Sequence, residues 1–412
     1  MPSGVSSALD GPAQPQGLRD EAEGPFDEAH RDGGRPLTPG GRVAIFAPSM
    51  AQGGAERGAL KLGEGLARRG LEVDLVLAAA EGPRLSEVSP DVTIVDLRAR
   101  RVLSSLPGLI GYLRRTRPLA LVSYLDHANV IALTACRLVR FPGRILVVEQ
   151  NTLSEAAKHG KSRRDRLMPQ IVRAVYPRAD YVVGVSGGVV DDLTRFTSLP
   201  AEKLKVIFNP IVTPDLSERA KEPVEHPWFA DGGKVFVAVG RLRPQKDFDT
   251  LIRAFSRVRA IRPARLLILG EGPERPALEE LVRRLDIGED VSLPGSVANP
   301  YAYLSRAVAF VLSSRWEGLP TVLIEALACG APVIATDCAS GPREILAGGR
   351  YGRLVRVNAV EELAAAMEEA LDGRLPRPPD ESWRPYELDA VVDEFLRLIF
   401  DGHADGSPAL AR

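Results

Sequence analysis

The sequence has few cysteines and no long hydrophobic run. Only three of its 412 residues are cysteines, and they form no CxxC pair and have no histidine close by. A disulfide framework and a structural zinc site are therefore not expected, and a cytoplasmic protein is predicted. No apolar run approaches the ~20 residues that a membrane-spanning helix needs. The formal net charge of -1 gives no reason to expect a nucleic-acid partner.

Short apolar runs alternate with helical patterns from Arg42 onward. This alternation is typical of parallel βαβ units. It stops in a proline-rich, charged stretch at 213–231, which predicts a linker, and then restarts with KVFVAVG. We therefore predict an α/β fold with two Rossmann-like domains, residues 41–214 and 215–385, that face each other across a cleft.

The two ends of the chain differ from the patterned part. Residues 1–40 are rich in glycine, proline and acidic side chains and contain no hydrophobic signal core, so they predict a disordered tail. The run LDAVVDEFLRLIF predicts a C-terminal helix within 386–402, and a polar tail follows at 403–412. Ligands of open α/β sheets bind beyond the carboxyl ends of the strands. The strand-to-helix loops are therefore the expected site.

The segment SRWEGLPTVLIEALACGAPV at 314–333 places two acids, Glu317 and Glu325, on either side of a glycine turn that opens into a helix. Backbone N–H groups at such a turn favour anions. Carboxylates accept hydrogen bonds from sugar hydroxyls. The segment therefore predicts a binding site for a phosphorylated, hydroxyl-rich ligand.

A cationic loop follows the first strand of the second domain. It carries Gly240-Arg241 and, five residues later, Lys246. Two cations at a strand end either neutralise a diphosphate or belong to a solvated basic loop. Asp247-Phe248-Asp249 has the form of a metal-binding Asp-x-Asp, but no third ligand is near. We interpret Asp249 as a helix N-cap instead, and no metal site is predicted.

Two glycine turns follow other strands. Gly270-Glu271-Gly272 is either a tight turn or a nucleotide contact, because a lone GxG decides little. Gly53-Gly54 either forms a flexible turn or lets the backbone approach a ligand closely. Glu56 and Arg57, which follow, are interpreted as first-turn helix residues and not as catalysts.

Polar side chains also end two strands of the first domain. His127, in SYLDHANV, is either a sugar-binding or basic group in the cleft or a structural histidine. Glu149-Gln150-Asn151 ends the next strand and is a candidate acceptor contact. Two arginine-rich stretches with apolar stripes, 98–118 and 158–178, are either membrane-surface segments or solvated helix faces.

Together, these motifs resemble the retaining glycosyltransferases of family 4, which have the GT-B fold. The resemblance rests on Gly53-Gly54, Gly240-Arg241 with Lys246, Gly270-Glu271-Gly272, and the Glu-x7-Glu pair Glu317/Glu325. It covers roughly residues 42–400. It implies that the last helix crosses back onto the N-terminal domain.

The resemblance also implies a donor site. A nucleotide-diphosphate sugar, specifically a UDP-sugar such as UDP-N-acetylhexosamine, would bind the second domain. Arg241 and Lys246 would contact its diphosphate, Glu317 the donor sugar and Glu325 the ribose, with the amides of Gly318 and Leu319 near phosphate or sugar. The predicted donor contacts further include Gly53, Gly54, Gly240 and Glu271, and His127 is predicted among the catalytic residues. No metal or other cofactor is implied.

The predicted reaction is transfer to a glycan or polyprenyl-linked acceptor in surface polysaccharide or glycoconjugate synthesis, in the cytoplasm or at the inner membrane face. The sequences SYLDHANVIAL and VVEQNTL resemble members that add N-acetylhexosamine to a polyprenyl-diphosphate-linked sugar. Two alternatives remain. A nucleotide-sugar 2-epimerase of the same architecture would need a base at the donor C2, and a non-catalytic nucleotide-sugar-binding protein would not need the intact charged residues.

Overall fold

The computed structural model describes residues 41–401 apart from 52, 160–162 and 231. The predicted tails at 1–40 and 403–412 lie outside the described residues. The described part contains two parallel sheets with helices packed against them, as the alternation of patterns predicts.

The first sheet has seven strands in the order β3-β2-β1-β4-β5-β6-β7, and all its pairs are parallel. Its strands are β1 (Arg42–Ala47), β2 (Glu72–Leu77), β3 (Val92–Asp96), β4 (Ala120–Tyr124), β5 (Arg144–Glu149), β6 (Tyr181–Gly184) and β7 (Leu204–Val206). The central strands β1 and β4 are buried almost throughout. Helices cover both faces of such a sheet, which explains their nearly continuous apolar sequences.

The second sheet has six parallel strands in the order β10-β9-β8-β11-β12-β13. Its strands are β8 (Val235–Val239), β9 (Arg265–Leu269), β10 (Val291–Gly295), β11 (Ala309–Leu312), β12 (Val333–Thr336) and β13 (Arg353–Val355). In both sheets the strand order reverses beside the first strand. That reversal is where ligands of doubly wound sheets bind.

The α-helices fill the connections between strands. They are α1 (Gly54–Arg68), α2 (Leu106–Thr116), α3 (Asp126–Val139), α4 (Leu153–His159), α5 (Arg163–Val175), α6 (Gly187–Phe196), α7 (Leu216–Lys221), α8 (Phe248–Ile261), α9 (Arg275–Arg284), α10 (Pro300–Leu304), α11 (Thr321–Ala328), α12 (Pro342–Ile345), α13 (Val360–Leu371) and α14 (Leu388–Phe400).

One local sequence prediction is wrong, that of the N-cap of α8. The stretch 213–231, predicted as a linker, contains α7, which packs against α10. The N-cap position of α8 is Asp247, and Asp249 lies inside the helix, where its Oδ1 accepts from Nε of Arg253 (2.6 Å). The helix begins earlier because Phe248 is buried and already belongs to its apolar face.

The chain crosses between the two domains twice, and the crossings run side by side. The N–H groups of Ile211 and Val212 donate to the carbonyl oxygen of Tyr386, both at 3.0 Å. Helix α14 then packs on α1 of the N-terminal domain, where Arg69 of the loop after α1 pairs with Asp393. The predicted return of the last helix is therefore confirmed.

No helix among the described residues combines the length and the apolar character required to cross a bilayer.

The contact between α1 and α14 depends on a glycine. A Cβ atom added at Gly65 would collide with the side chain of Val392. We expect Gly65→Ala to lower the free energy of unfolding by about 1–3 kcal/mol through overpacking. The control is Gly111→Ala in α2, where an added Cβ meets no described atom within 4 Å. That change should raise stability by about 0.5–1 kcal/mol. Denaturant unfolding measures both, and equal effects of the two substitutions would contradict the packing argument.

Candidate active site

The loops that follow β8 and β9 are bound to each other through their backbones. The N–H of Gly240 donates to the carbonyl oxygen of Leu269, and the N–H of Leu242 donates to that of Glu271, both at 2.9 Å. A side chain at Gly270, where φ is 148°, would collide with the carbonyl oxygen of Gly240. The close approach of the two loops therefore explains Gly270 and also Gly272, where a Cβ would collide with the carbonyl oxygen of Leu242.

Lys246 and Glu317 form an ion pair between the β8–α8 and β11–α11 loops. The Nζ of Lys246 is 2.6 Å from Oε1 of Glu317, which also accepts from the Ser314 hydroxyl at 2.6 Å. Their side chains are 16% and 7% exposed. The pair is thus largely shielded from water, so each charge acts strongly on any group that enters the site.

Arg241 and Glu271 differ in their environments. Arg241 is exposed, and its side chain forms no hydrogen bond or ion pair with the part of the chain that the structure describes. Glu271 pairs with Arg275 on α9, with Nη2 of Arg275 at 2.7 Å from its Oε1. The guanidinium of Arg241 is therefore available to an anionic ligand, whereas the carboxylate of Glu271 already has a cation.

Glu325 contacts a residue of the opposite domain. Its Oε1 accepts from Nη1 of Arg57, in the first turn of α1, and Nη2 of Arg57 donates to the hydroxyl of Tyr301. Burial lowers the pKa of Arg57, but the neighbouring Glu325 and Tyr301 raise it by more than burial lowers it. The pKa therefore lies above its usual value, and the guanidinium stays charged. Burial, with the nearby Glu325, raises the pKa of Tyr301 to about 12.

The N-termini of α1 and α11 face each other across the cleft. A Cβ atom added at Gly54 would lie 3.4 Å from Cγ2 of Thr321. A Cβ at Gly318 would collide with the carbonyl oxygen of Gln150 in the N-terminal domain. Because the first N–H groups of a helix are unpaired, two facing N-termini favour an anion between them.

Two neighbouring cavities occupy this cleft. The first, of about 690 Å³, lies at the ends of β9 and β10 and is lined by residues that include Gly270, Glu271 and Val297. The second, of about 680 Å³, is lined by Gly53, Gly54, Lys246, Glu317, Gly318, Leu319 and Glu325, among others. Arg57, Gly240 and Arg241 line both cavities. The structure thus brings every predicted site residue except His127 to one connected region.

Comparison with known proteins identifies the family. The model for Glycosyltransferase Family 4 matches residues 52–214, and that for Glycosyl transferases group 1 matches 221–386. The chain is 30% identical over 343 residues to the N-acetylgalactosamine-N,N'-diacetylbacillosaminyl-diphospho-undecaprenol 4-alpha-N-acetylgalactosaminyltransferase of Campylobacter jejuni, covering 80% of this chain and 90% of that one.

The chain belongs to glycosyltransferase family 4. It is also 26% identical over 225 residues to the lipopolysaccharide 1,6-galactosyltransferase of Escherichia coli, covering 53% of this chain and 58% of that one. The structure of Anabaena Alr3699/HepE in complex with UDP and glucose superposes with a TM-score of 0.73 at 18% identity, covering 87% of this chain and 99% of that chain. The GT-B fold is therefore confirmed.

His127 lies apart from the other predicted site residues of the glycosyltransferase. It is in the first turn of α3, with Nδ1 2.8 Å from Oδ1 of Asp126, and it is not among the residues that line the two cavities. Leu125, which precedes α3, does line the second cavity and has a left-handed φ of 77°. A catalytic role for His127 stays a prediction.

Glu149 does not face the cleft. Its carboxylate is buried within the N-terminal domain, where Oε1 accepts from the Tyr176 hydroxyl and from Nδ2 of Asn129 (3.1 Å). Its neighbours Gln150 and Asn151 do line the second cavity. The prediction that Glu149 contacts the acceptor is therefore wrong, because its carboxylate is held inside the domain by Tyr176 and Asn129.

Sequence reasoning missed Arg57 and Tyr301 as site residues of the glycosyltransferase. The periodicity correctly predicts that Arg57 lies in a first helical turn, but it cannot show that this turn faces Glu325. Tyr301 is a single aromatic residue in a short helix with no motif around it. A basic residue directly after a Gly-Gly-x-Glu turn was the one available signal.

Glu149 should make stability depend on pH. Burial, with the nearby Asp126, raises its pKa from 4.5 to about 8. Between these two pH values the folded state holds a proton that the unfolded chain has released. The contribution of Glu149 to stability is therefore greatest below pH 4.5 and is lost as the pH rises to about 8. Glu149→Gln cannot titrate, and we expect its unfolding free energy to fall less steeply over this range.

The control for this prediction is Glu218→Gln, at an exposed position on α7. Denaturant unfolding at a series of pH values measures all three proteins. Identical slopes for the wild type and Glu149→Gln would contradict the buried, protonated carboxyl.

Proposed function

We propose that this glycosyltransferase moves a sugar from a UDP-sugar, such as UDP-N-acetylhexosamine, to a glycan or polyprenyl-diphosphate-linked acceptor with retention of configuration. The observation that carries the proposal is the shielded contact of Lys246 with Glu317 beside Arg241 and two facing helix N-termini. Few ligands other than a sugar diphosphate need two cations, several N–H donors and a carboxylate within one cleft.

The two cavities suit the two halves of such a donor. The nucleoside would occupy the first cavity, at the ends of β9 and β10, and the diphosphate and sugar would occupy the second. Glu325, near their junction, would accept the ribose hydroxyls, and Glu317 would accept hydroxyls of the donor sugar. Lys246 holds the carboxylate of Glu317 in a fixed orientation before the sugar arrives.

The reaction places new negative charge on the departing diphosphate. The bond from C1 of the sugar to the phosphate oxygen breaks while the acceptor oxygen bonds C1 on the same face. The acceptor hydroxyl gives its proton to the departing phosphate oxygen, and the nucleoside diphosphate leaves. Arg241 and Lys246 stabilise that charge. These cations take the role that a divalent metal has in other transferases, so we propose that no metal is required.

Side-chain amides of the N-terminal domain would contact the acceptor. Gln150 and Asn209 line the second cavity, where Nδ2 of Asn209 donates to Oε1 of Gln150 at 2.7 Å. Amides can both donate to and accept from sugar hydroxyls. The Campylobacter jejuni relative is named for transfer to a sugar on diphospho-undecaprenol, which supports a lipid-linked acceptor.

The N-terminal domain also has a surface suited to an anionic membrane. Residues 97–140 contain eight arginines and one acid, Asp126. All eight arginines are exposed, and Leu103 beside them is 72% exposed. We propose that this surface, the α2–α3 surface, contacts anionic lipid head groups. The second predicted basic stretch lies partly outside the described residues, at 160–162.

Lys246→Ala and Glu317→Ala should each reduce kcat/KM by about 10²–10³, because each removes charge that acts in the transition state. The matched control is Lys221→Ala, which breaks an exposed ion pair with Glu218 and should leave the rate unchanged. Donors are first selected from a panel of nucleotide sugars by thermal stabilisation, and transfer is then followed by release of the nucleoside diphosphate.

Several results would contradict this function. Near-normal rates in Lys246→Ala and Glu317→Ala would contradict the site assignment. A product with inverted anomeric configuration would contradict the retaining mechanism. Loss of transfer on addition of a metal chelator would contradict the proposal that no metal is required. Conversion of the donor to its 2-epimer in the absence of acceptor would favour the epimerase instead.

The membrane proposal predicts binding to anionic vesicles that added salt weakens. Arg114→Gln on α2 should lower partitioning about fivefold, since one basic residue near such a surface contributes about 1 kcal/mol. Arg283→Gln, an exposed arginine on α9 of the other domain, should not change it. Flotation with anionic and zwitterionic vesicles measures the effect, and no binding to anionic vesicles at low salt would overturn the proposal.

A further inference from the structure

Arg57 stands at the junction of the two cavities. It belongs to the N-terminal domain, but its guanidinium contacts Glu325 and Tyr301 of the C-terminal domain and lines both cavities. A second arginine, Arg219, stacks on the ring of Tyr301, with its guanidinium carbon 4.7 Å from the ring centre. A donor that fills both cavities must pass this cluster.

The contact of Arg57 with Glu325 conflicts with the role proposed for Glu325. The side chains of Arg57 and Glu325 are only 14% and 5% exposed, so little room remains around the carboxylate. The guanidinium already donates to Oε1 of Glu325. A ribose hydroxyl that binds Oε1 competes with Arg57 for this oxygen.

If the buried guanidinium of Arg57 loses its contact with Glu325, a second anion must take the place of that carboxylate. Removing the partner of a buried charge is strongly destabilising. The diphosphate of the donor is the nearest such replacement, because Arg241, which lines both cavities with Arg57, marks its proposed position. Arginine also binds phosphate oxygens through two parallel hydrogen bonds.

We propose that Arg57 is a donor-binding residue that exchanges Glu325 for the donor diphosphate. When the ribose takes the carboxylate of Glu325, Arg57 turns to the phosphates and brings the first turn of α1 onto the donor. The adjacent turn at Gly53 and Gly54, which lines the second cavity, then lies against the donor. The inference rests on the proposed function, since it requires a nucleoside diphosphate in this cleft.

The exchange makes a nucleoside and its diphosphate respond differently to loss of Arg57. Uridine competes with Arg57 for Glu325 but offers it no phosphate in return. In Arg57→Met, uridine should therefore bind more tightly, whereas UDP gains the freed carboxylate but loses the arginine contact. We expect the ratio of the uridine Kd to the UDP Kd to fall at least fivefold, the low end of usual couplings between sites.

Isothermal titration calorimetry of the full chain with uridine and with UDP measures this ratio. Arg68→Met is the matched control, because Arg68 lies at the end of the same helix α1, pairs with Glu64 and lines neither cavity. Its ratio should equal that of the wild type. If Arg57→Met does not fold, Arg57→Lys keeps a charge opposite Glu325, and its ratio should also fall because lysine offers phosphate a single point of contact.

The outcomes separate the two proposals. An unchanged ratio in the Arg57 variants, with UDP binding normally to the wild type, overturns the exchange and leaves the donor class standing. If no nucleoside diphosphate of any base binds the wild type, the proposed function fails and the exchange fails with it. Tighter binding of uridine to Arg57→Met and a lower ratio in the Arg57 variants, together with an unchanged ratio in Arg68→Met, support the exchange.

Discussion

The site depends on the direct contact of the Gly318 backbone with the N-terminal domain. Its carbonyl oxygen accepts from the hydroxyls of Ser186 and Ser340, both at 3.0 Å, and any side chain at this position would collide with the backbone of Gln150. Ser186 belongs to the opposite domain, so this contact closes the cleft at one end. Arg57 can reach Glu325 only because the two loop edges approach this closely.

Charge in the cleft is arranged in pairs that a ligand can rearrange. Lys246 with Glu317 lies within one domain, whereas Arg57 with Glu325 spans two. Shielded pairs of this kind contribute little net stability, because the cost of removing two ions from water offsets their attraction. Orientation explains their function better: Lys246 holds Glu317 in position for hydroxyl groups, whereas Arg57 occupies Glu325 until the donor arrives. Each pair also supplies a cation near the proposed phosphates.

Much of the fold and of the donor half of the site could be predicted from the sequence. The alternation of apolar strands with helices predicts two parallel sheets, because strands buried on both faces leave long apolar runs. Glu317 and Lys246 belong to two motifs that were predicted to share one site, and in the structure their side chains are 2.6 Å apart. The errors at Asp249 and Glu149 were local: one concerned where a helix begins, the other which face of a strand end a side chain occupies.

The fold class, the family and the loops that carry the site follow from the sequence, since these depend on local periodicity and on motifs within short segments. The contact of Arg57 with Glu325, 268 positions away in the chain, follows only from tertiary packing. The same packing buries Glu149 and leaves His127 outside the lining of both cavities. Such outcomes depend on how two sheets pack across a cleft, and no single segment of the sequence contains that packing.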